Sequence, residues 1–178
     1  RRAELIAARM AWPIEAHRAA GEAIEASLAE RFPRLGEGLL GAYVPFRREF
    51  NCTPLLVRLT AGGGRVALPV VLGPGRPLEF RAWKPGDRMA MGVYDIPYPA
   101  EGEPVIPDTV ISPLVGFDPA GYRLGYGAGY YDRTLASFPA KPLVIGVGFE
   151  LSRMETIQPQ PHDIPMDVIV TEAGVFGA

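Results

Sequence analysis

The residues best able to do chemistry in this chain crowd into one run, 117–133. Three glycines alternate there, Gly125, Gly127 and Gly129, with Arg123 just before them and Tyr130-Tyr131-Asp132-Arg133 just after. An apolar segment over 110–117 leads in, and the pattern predicts a helix over 130–137. Strand, glycine loop and helix N-terminus together suit a phosphate, because bare backbone N–H groups can approach the anion and the helix dipole favours its charge. The spacing argues against two other phosphate devices. A dinucleotide fingerprint needs G-x-G-x-x-G, but the residue after Gly129 is Tyr130, and a P-loop needs Gly-Lys followed by Ser or Thr. A plain surface turn would have no use for the flanking Arg123 and Asp132.

Asp132 stands where an anion should be unwelcome. A carboxylate beside a phosphate repels it by roughly 4 kcal/mol at about 4 Å and an effective dielectric of about 20. Mg2+ between the two removes the clash, held by one or two carboxylates, phosphate oxygens and water. The residue also falls in the first turn of the expected helix, where negative charge is favourable without any metal. From this aspartate alone the two readings stand level.

Elements must position that loop, and the chain supplies them. With 178 residues it is long enough for one domain with a full core. Its 48% hydrophobic and 21% charged residues are those of a globular protein, and a net charge of -2 gives no electrostatic case for nucleic acid or an anionic membrane. No apolar run has the length of a membrane span, and Glu4 and Arg9 interrupt any signal-like core at the start. Cys52 is alone, which fits a reducing cytoplasm.

Helices are expected over 3–10 and 14–31, the second with Ala20, Ile24 and Leu28 spaced by four along one face. A strand over 39–45 follows, then Thr53 as an N-cap, Pro54 in the first helical position and a helix over 55–60. Strands are expected over 65–72, 77–83, 109–116, 143–149 and 167–171, with an irregular proline-rich loop over 85–107. The run 143–149 is apolar throughout, as a strand covered on both faces would be. This alternation predicts a single-domain α/β fold, a layered, mainly parallel sheet with helices on both faces, Rossmann-like in arrangement. Ligands bind such sheets outside the carboxyl ends of the strands, where the glycine loop is expected.

The residues Phe117-Asp118, Gly121, Arg123-Leu124-Gly125, Gly127 and Gly129-Tyr130-Tyr131-Asp132-Arg133 resemble the 5-formyltetrahydrofolate cyclo-ligase family, also called methenyltetrahydrofolate synthetases. Four other stretches resemble it in the right order: Arg2-Ala3-Glu4-Leu5, Glu49 with Thr53-Pro54-Leu55, residues 94–99, and His162-Asp163 through Met166-Asp167 to Thr171-Glu172. The resemblance implies the sheet scaffold shared with sugar-phosphate isomerases and CoA transferases. It also implies a reaction in which ATP, with Mg2+, closes 5-formyltetrahydrofolate to 5,10-methenyltetrahydrofolate, giving ADP and phosphate through a phosphorylated formyl intermediate. Phosphoryl transfer asks a protein mainly for positioning and charge stabilisation, so it needs no nucleophilic Ser, Cys or His.

By this resemblance the nucleotide is held by Arg2 and by Arg123, Leu124, Gly125, Tyr126, Gly127, Ala128, Gly129, Tyr130 and Tyr131, with Arg123 and Tyr130 as the catalytic pair. Asp132 and Asp167 correspond to two Mg2+-associated carboxylates, and Glu49, Tyr94, Ile96 and Pro97 to the folate site. Without the resemblance, Glu49 reads as a solvated loop charge and Ile96 as core. The family also has a lysine about one helical turn before Arg2, a position that lies before residue 1. Where some members carry basic residues between the glycines this chain has Tyr126 and Ala128, so positive charge is expected from Arg123, Arg133 or elsewhere. Other classes compatible with the loop are a non-catalytic nucleotide- or folate-binding module and a phosphosugar isomerase or CoA-transferase-like enzyme. A monomer is expected, with a homodimer as the alternative. Cys52 reads as a small buried hydrophobe, His17 as surface, Trp12 and Trp83 as packing, and His162-Asp163 as ordering the turn before Met166.

Overall fold

A computed structural model of the chain describes residues 1–177. Two helices open it, α1 (Arg2–Ala11) and α2 (Ile14–Arg31), divided at Pro13. Then follow β1 (Leu39–Gly41), α3 (Thr53–Ala61), β2 (Arg65–Val70), β3 (Glu79–Trp83), β4 (Met89–Met91), β5 (Pro97–Pro99) and β6 (Pro104–Val105). The second half contains β7 (Thr109–Pro113), β8 (Gly116–Phe117), β9 (Arg123–Leu124), α4 (Tyr130–Ser137), β10 (Leu143–Val147), β11 (Val168–Thr171) and β12 (Gly174–Gly177). One eight-stranded sheet in the order β12-β11-β10-β7-β1-β2-β3-β6 joins both halves. Its five middle strands, β11 to β2, are mutually parallel, and β12, β3 and β6 add antiparallel edges.

Period-two alternation explains why these strands read as apolar throughout. Leu40, Val66, Leu68, Ile111, Ile145, Val168 and Val170 face one side, where Ala20, Ile24 and Leu28 of α2 and Leu55 and Leu56 of α3 cover them. Their neighbours Leu39, Ala67, Val110, Val144 and Ile169 face the other side, packed with Leu135 of α4, Phe117, Met166 and Phe80. Both faces of each middle strand are therefore dry. Gly146 of β10 allows the close approach of Met166, whose side chain occupies the space a Cβ would take.

Several expectations need correcting. The strand expected over 39–45 leaves the sheet after Gly41, although Ala42 still donates to the Ala67 carbonyl. Thr53 does not cap α3: it is the first helical residue, Cys52 stands at the cap, and Asn51 Oδ1 accepts the Thr53 N–H at 3.1 Å. The span 85–107 is not irregular throughout, since β4 and β5 pair as a small hairpin and β6 pairs with β3. His17 is half-buried, its Nε2 2.9 Å from the Arg48 carbonyl and its ring 5.0 Å from that of Phe149. Finally, β7 does not run straight into the glycines; the β8–β9 hairpin lies between them. No helix among the described residues is long and apolar enough to cross a membrane.

Two-sided packing makes a contrast that denaturation can read. Ile111→Ala, at a side chain with 0% exposure in the middle of the sheet, is expected to cost about 2–5 kcal/mol in urea unfolding. Ile106→Ala, at 56% exposure before β7, should change stability by no more than about 0.5 kcal/mol. Equal losses at both positions would contradict the packing described.

Candidate functional site

The carboxyl ends of β1, β2 and β7 surround a cavity of about 500 Å3. Tyr43 and Val44 follow β1, Pro69 and Val71 mark the end of β2, and Pro113 ends β7. The segment around the β4–β5 hairpin closes one side with Tyr94, Ile96, Pro97 and Tyr98, and the glycine-loop run closes another with Tyr126, Ala128, Tyr130 and Tyr131. All four residues expected at the folate site thus meet in one cavity, with walls that are mostly apolar and aromatic. Such a surface holds a flat heterocycle by burial, leaving a few polar groups to fix its orientation.

Glu49 is the one ionisable carboxylate among those walls, and it is buried rather than solvated. Its Oε1 accepts the Phe46 N–H at 2.8 Å and its Oε2 accepts the Tyr126 hydroxyl at 3.3 Å. Burial pushes its carboxyl up to about 7, although Arg9, the Phe46 N–H and Tyr126 pull the other way. A carboxylate poised there can accept ring N–H groups at neutral pH. Tyr126 in turn is raised to about 12 by burial and by the neighbouring Glu49, so its hydroxyl keeps its proton.

Arg9 was not singled out from the sequence, yet it ties this corner together. It is 2% exposed and donates from Nε to the Arg47 carbonyl at 2.9 Å, from Nη1 to the Leu114 carbonyl at 3.0 Å and from Nη2 to the Tyr126 hydroxyl at 2.8 Å. Leu5 and Arg9 are the buried residues of α1, four apart on one face, a burial that the fold and not the sequence reveals. A charge on a buried stripe is the anomaly worth following.

The glycine loop itself is exposed from Tyr126 to Gly129. Gly127 and Gly129 take φ values of 103° and 70°, left-handed geometry that glycine adopts without strain, and Gly129 is the N-cap of α4. Arg2 reaches across from α1, its Nε donating to the Gly125 carbonyl at 2.8 Å, and Arg133 Nη1 donates to the Ala128 carbonyl at 3.2 Å. Positive charge therefore flanks the loop from outside, where Tyr126 and Ala128 supply none from within. Leu124 belongs to β9, paired with Gly116, and its carbonyl accepts the Val115 N–H at 2.7 Å. Tyr130 and Tyr131 begin α4, and the Tyr130 carbonyl accepts the Thr134 hydroxyl at 2.5 Å.

Arg123 is 8% exposed and only half answered. Its Nη2 donates to Asp132 Oδ1 at 3.2 Å and its guanidinium lies 5.3 Å from the Tyr131 ring centre, but Nη1 is buried with no partner. Burial depresses its pKa, and Asp132 partly restores it. A buried cationic N–H without an acceptor is costly, and it is what an anion-binding group shows before its anion arrives. Asp118 explains why the motif begins where it does. Its buried carboxylate accepts the N–H groups of Ala120, Tyr122 and Ile157, fixing the β8–β9 turn that delivers Arg123.

The two aspartates read as metal ligands lie in different surroundings. Asp132 uses Oδ1 for Arg123 and the Ile164 N–H, and no donor reaches its Oδ2 among the described residues. Asp167 sits at the amino ends of β10 and β11, held by Lys141 Nζ at 2.8 Å and by the Val144 N–H at 2.8 Å. It lines a separate depression of about 170 Å3, together with Asp118 and Arg153. Among the described residues no three His, Cys, Asp or Glu side chains converge as a metal set. Asp132 therefore fits a metal whose other ligands are phosphate and water, whereas Asp167 must first exchange Lys141. Cys52, buried and donating to the Tyr43 carbonyl, has its thiol pushed up to about 12 by burial, as an inert hydrophobe should. His162 is exposed beside Asp163, which accepts the Gln160 N–H in a turn.

The 5-formyltetrahydrofolate cyclo-ligase family profile matches residues 1–172. A 5-formyltetrahydrofolate cyclo-ligase of Mycolicibacterium smegmatis is 37% identical over 141 residues, covering 73% of this chain and 71% of the relative. One of Escherichia coli is 32% identical over 145 residues, covering 77% and 79%. The solved structure of the 5,10-methenyltetrahydrofolate synthetase of Aquifex aeolicus superposes with a TM-score of 0.84 at 31% identity, over 99% of this chain and 90% of that one. From the motif, the sheet and these matches together, the chain belongs to the 5-formyltetrahydrofolate cyclo-ligase family.

Proposed function

We propose that this protein uses ATP to close 5-formyltetrahydrofolate to 5,10-methenyltetrahydrofolate, releasing ADP and phosphate. Adjacency carries the reading: Tyr126, Ala128, Tyr130 and Tyr131 belong to the glycine-loop run and are also walls of the cavity that holds Glu49. A phosphate donor on the loop and a heterocycle in the cavity would meet across the same peptide. The cavity walls include no Ser, Cys or His, which suits a transfer governed by positioning and charge.

In this reading the formyl oxygen attacks the γ-phosphorus, ADP leaves, and a neighbouring folate nitrogen then attacks the activated carbon and expels phosphate. Glu49 orients the pterin by accepting its N–H groups, and Tyr94, Ile96 and Pro97 wall it in. Arg123 offers its unanswered Nη1 to the transferred phosphoryl group, Arg2 and Arg133 neutralise the remaining phosphate charge, and the loop N–H groups and Tyr130 complete the cradle. Asp132 would hold Mg2+ through its open Oδ2, with Asp167 as a second carboxylate only if Lys141 gives way. The ion would supply charge neutralisation between carboxylate and phosphate. One sheet spanning both halves supports treating the whole chain as one cyclo-ligase-like domain, which in this reading acts as a monomer. A cytoplasmic setting belongs to the same reading, supported by the unpaired buried Cys52.

The direct test follows the absorbance of methenyltetrahydrofolate with ATP and Mg2+ present; absence of any product would overturn the reading. Glu49→Gln should raise KM for the folate roughly 10–100-fold, the loss of a charged hydrogen-bond acceptor. The same variant tests the electrostatics. Glu49 is raised from 4.5 to about 7, so the stabilisation from its neutral form is complete below pH 4.5 and disappears as pH rises through about 7. Relative to Glu49→Gln, the wild type should lose stability on the order of 3 kcal/mol across that window, measured by denaturation at each pH. Asp132→Asn should require at least about tenfold more Mg2+ for half-maximal rate. It also removes the carboxylate paired with buried Arg123 and should unfold more easily, so the Mg2+ titration of both proteins is made where both are folded. Identical titrations would remove Asp132 from the metal assignment.

A further inference from the structure

The rim of the cavity carries a cation that no carboxylate answers. Arg47 is exposed, and its guanidinium carbon lies 4.7 Å from the ring centre of Phe46 and 5.8 Å from those of Tyr94 and Tyr126. Those rings also touch one another in series, Phe46 lying 5.7 Å from Tyr94 and 5.6 Å from Tyr126. Among the described residues no acidic group pairs with Arg47. Arg81 and Arg123, which also lie over aromatic rings, do have acidic partners, Glu79 and Asp132.

The backbone is strained to put it there. Arg47 and Arg48 take φ values of 47° and 60°, left-handed geometry that costs a non-glycine residue roughly 1–2 kcal/mol each. Arg9 holds the turn by the Arg47 carbonyl, and Arg48 Nη1 anchors it to the carbonyls of Met10 and Trp12, both at 2.8 Å. Phe46 and Glu49 consequently line the cavity, while the Arg47 guanidinium lies against the Phe46, Tyr94 and Tyr126 rings that wall it. Strain held by several independent contacts at a binding site is a pointer to function.

The result is a polarity along the cavity. A buried carboxyl lies inside, three aromatic rings lie between, and a free guanidinium stands at the rim. Folate has the matching sequence of groups: a donor-rich pterin, an aromatic ring and a glutamyl tail bearing carboxylates. We propose that Arg47 is the specificity-determining residue for that tail, its guanidinium taking a glutamyl carboxylate while the rings hold the aromatic segment. The inference rests on the cavity being the folate site. Inserted the other way round, the substrate would set its carboxylates beside Glu49 and leave Arg47 unpaired.

The test compares 5-formyltetrahydrofolate with its tail-less counterpart, 5-formyltetrahydropteroate, in wild type and in Arg47→Glu and Arg47→Lys. The readout is the ratio of KM values for the two substrates, checked by ligand quenching of intrinsic fluorescence without ATP. Wild type should favour the glutamyl substrate by roughly tenfold, the size of one charge-assisted contact at a partly solvated rim. Arg47→Glu should erase or invert the preference with little change in kcat, and Arg47→Lys should keep most of it. If Arg47→Glu weakens both substrates equally, the residue serves only the aromatic rings and the proposal fails. It fails equally if the wild type shows no preference, or if the ratio survives in Arg47→Glu. A wild type that turns over neither substrate would instead strike the cyclo-ligase reading itself.

Discussion

A single buried guanidinium organises the corner where the two substrates would meet. Arg9 binds the carbonyl after the end of β7, the carbonyl of the strained Arg47 and the hydroxyl of Tyr126, so helix, sheet, turn and glycine loop share one fastening. Burying a charge is expensive, and it is tolerated only when every donor is used or an opposite charge is near. Here Glu49 provides the opposite charge through Tyr126; burial raises its carboxyl to about 7, and Arg9 pulls it back towards the charged form. The acidity of the cavity, the placement of the aromatic rim and the position of the loop thus depend on the same side chain.

Much of this architecture is legible because the chain is regular where it is buried. Ala20, Ile24 and Leu28 announce α2 by spacing, and the apolar run of β10 announces a strand covered twice. Errors fall where one local preference gives way to another or to the fold. Thr53 has the chemistry of a cap, but the helix starts one residue earlier, with Cys52 at the cap and Asn51 Oδ1 accepting the Thr53 N–H. Residues 42–45 keep the apolar character of β1 after the chain has turned away to wall the cavity. The prolines of 97 and 99 conceal β5, which pairs only with β4 in a two-stranded sheet and leaves the backbone little to donate.

The site was legible in a different way. Glycine spacing and Arg123 point to an anion on chemical grounds alone, and the unanswered Nη1 gives that argument a physical form. Glu49 was legible only through family resemblance, because nothing local in residues 46–49 tells a buried carboxylate from a solvated one. Its burial comes from α1 and from Tyr126, tens of residues away in either direction. Arg47 and Arg9 were missed for the same reason, since their meaning lies in partners that only the fold supplies. Asp118 shows the converse: a motif residue whose task is to shape a turn, not to touch a substrate.

Tyr126 has a consequence of its own. It is at once a residue of the exposed glycine loop and a wall of the cavity, and its hydroxyl bridges Arg9 and Glu49. In the proposed placement of the two ligands, a nucleotide that moves that ring would change folate affinity, and folate would then alter nucleotide affinity by the same factor. A chain with lysine or arginine between its glycines could bind the two ligands more nearly independently. With the proposed sites, one phenol would make their binding a shared equilibrium.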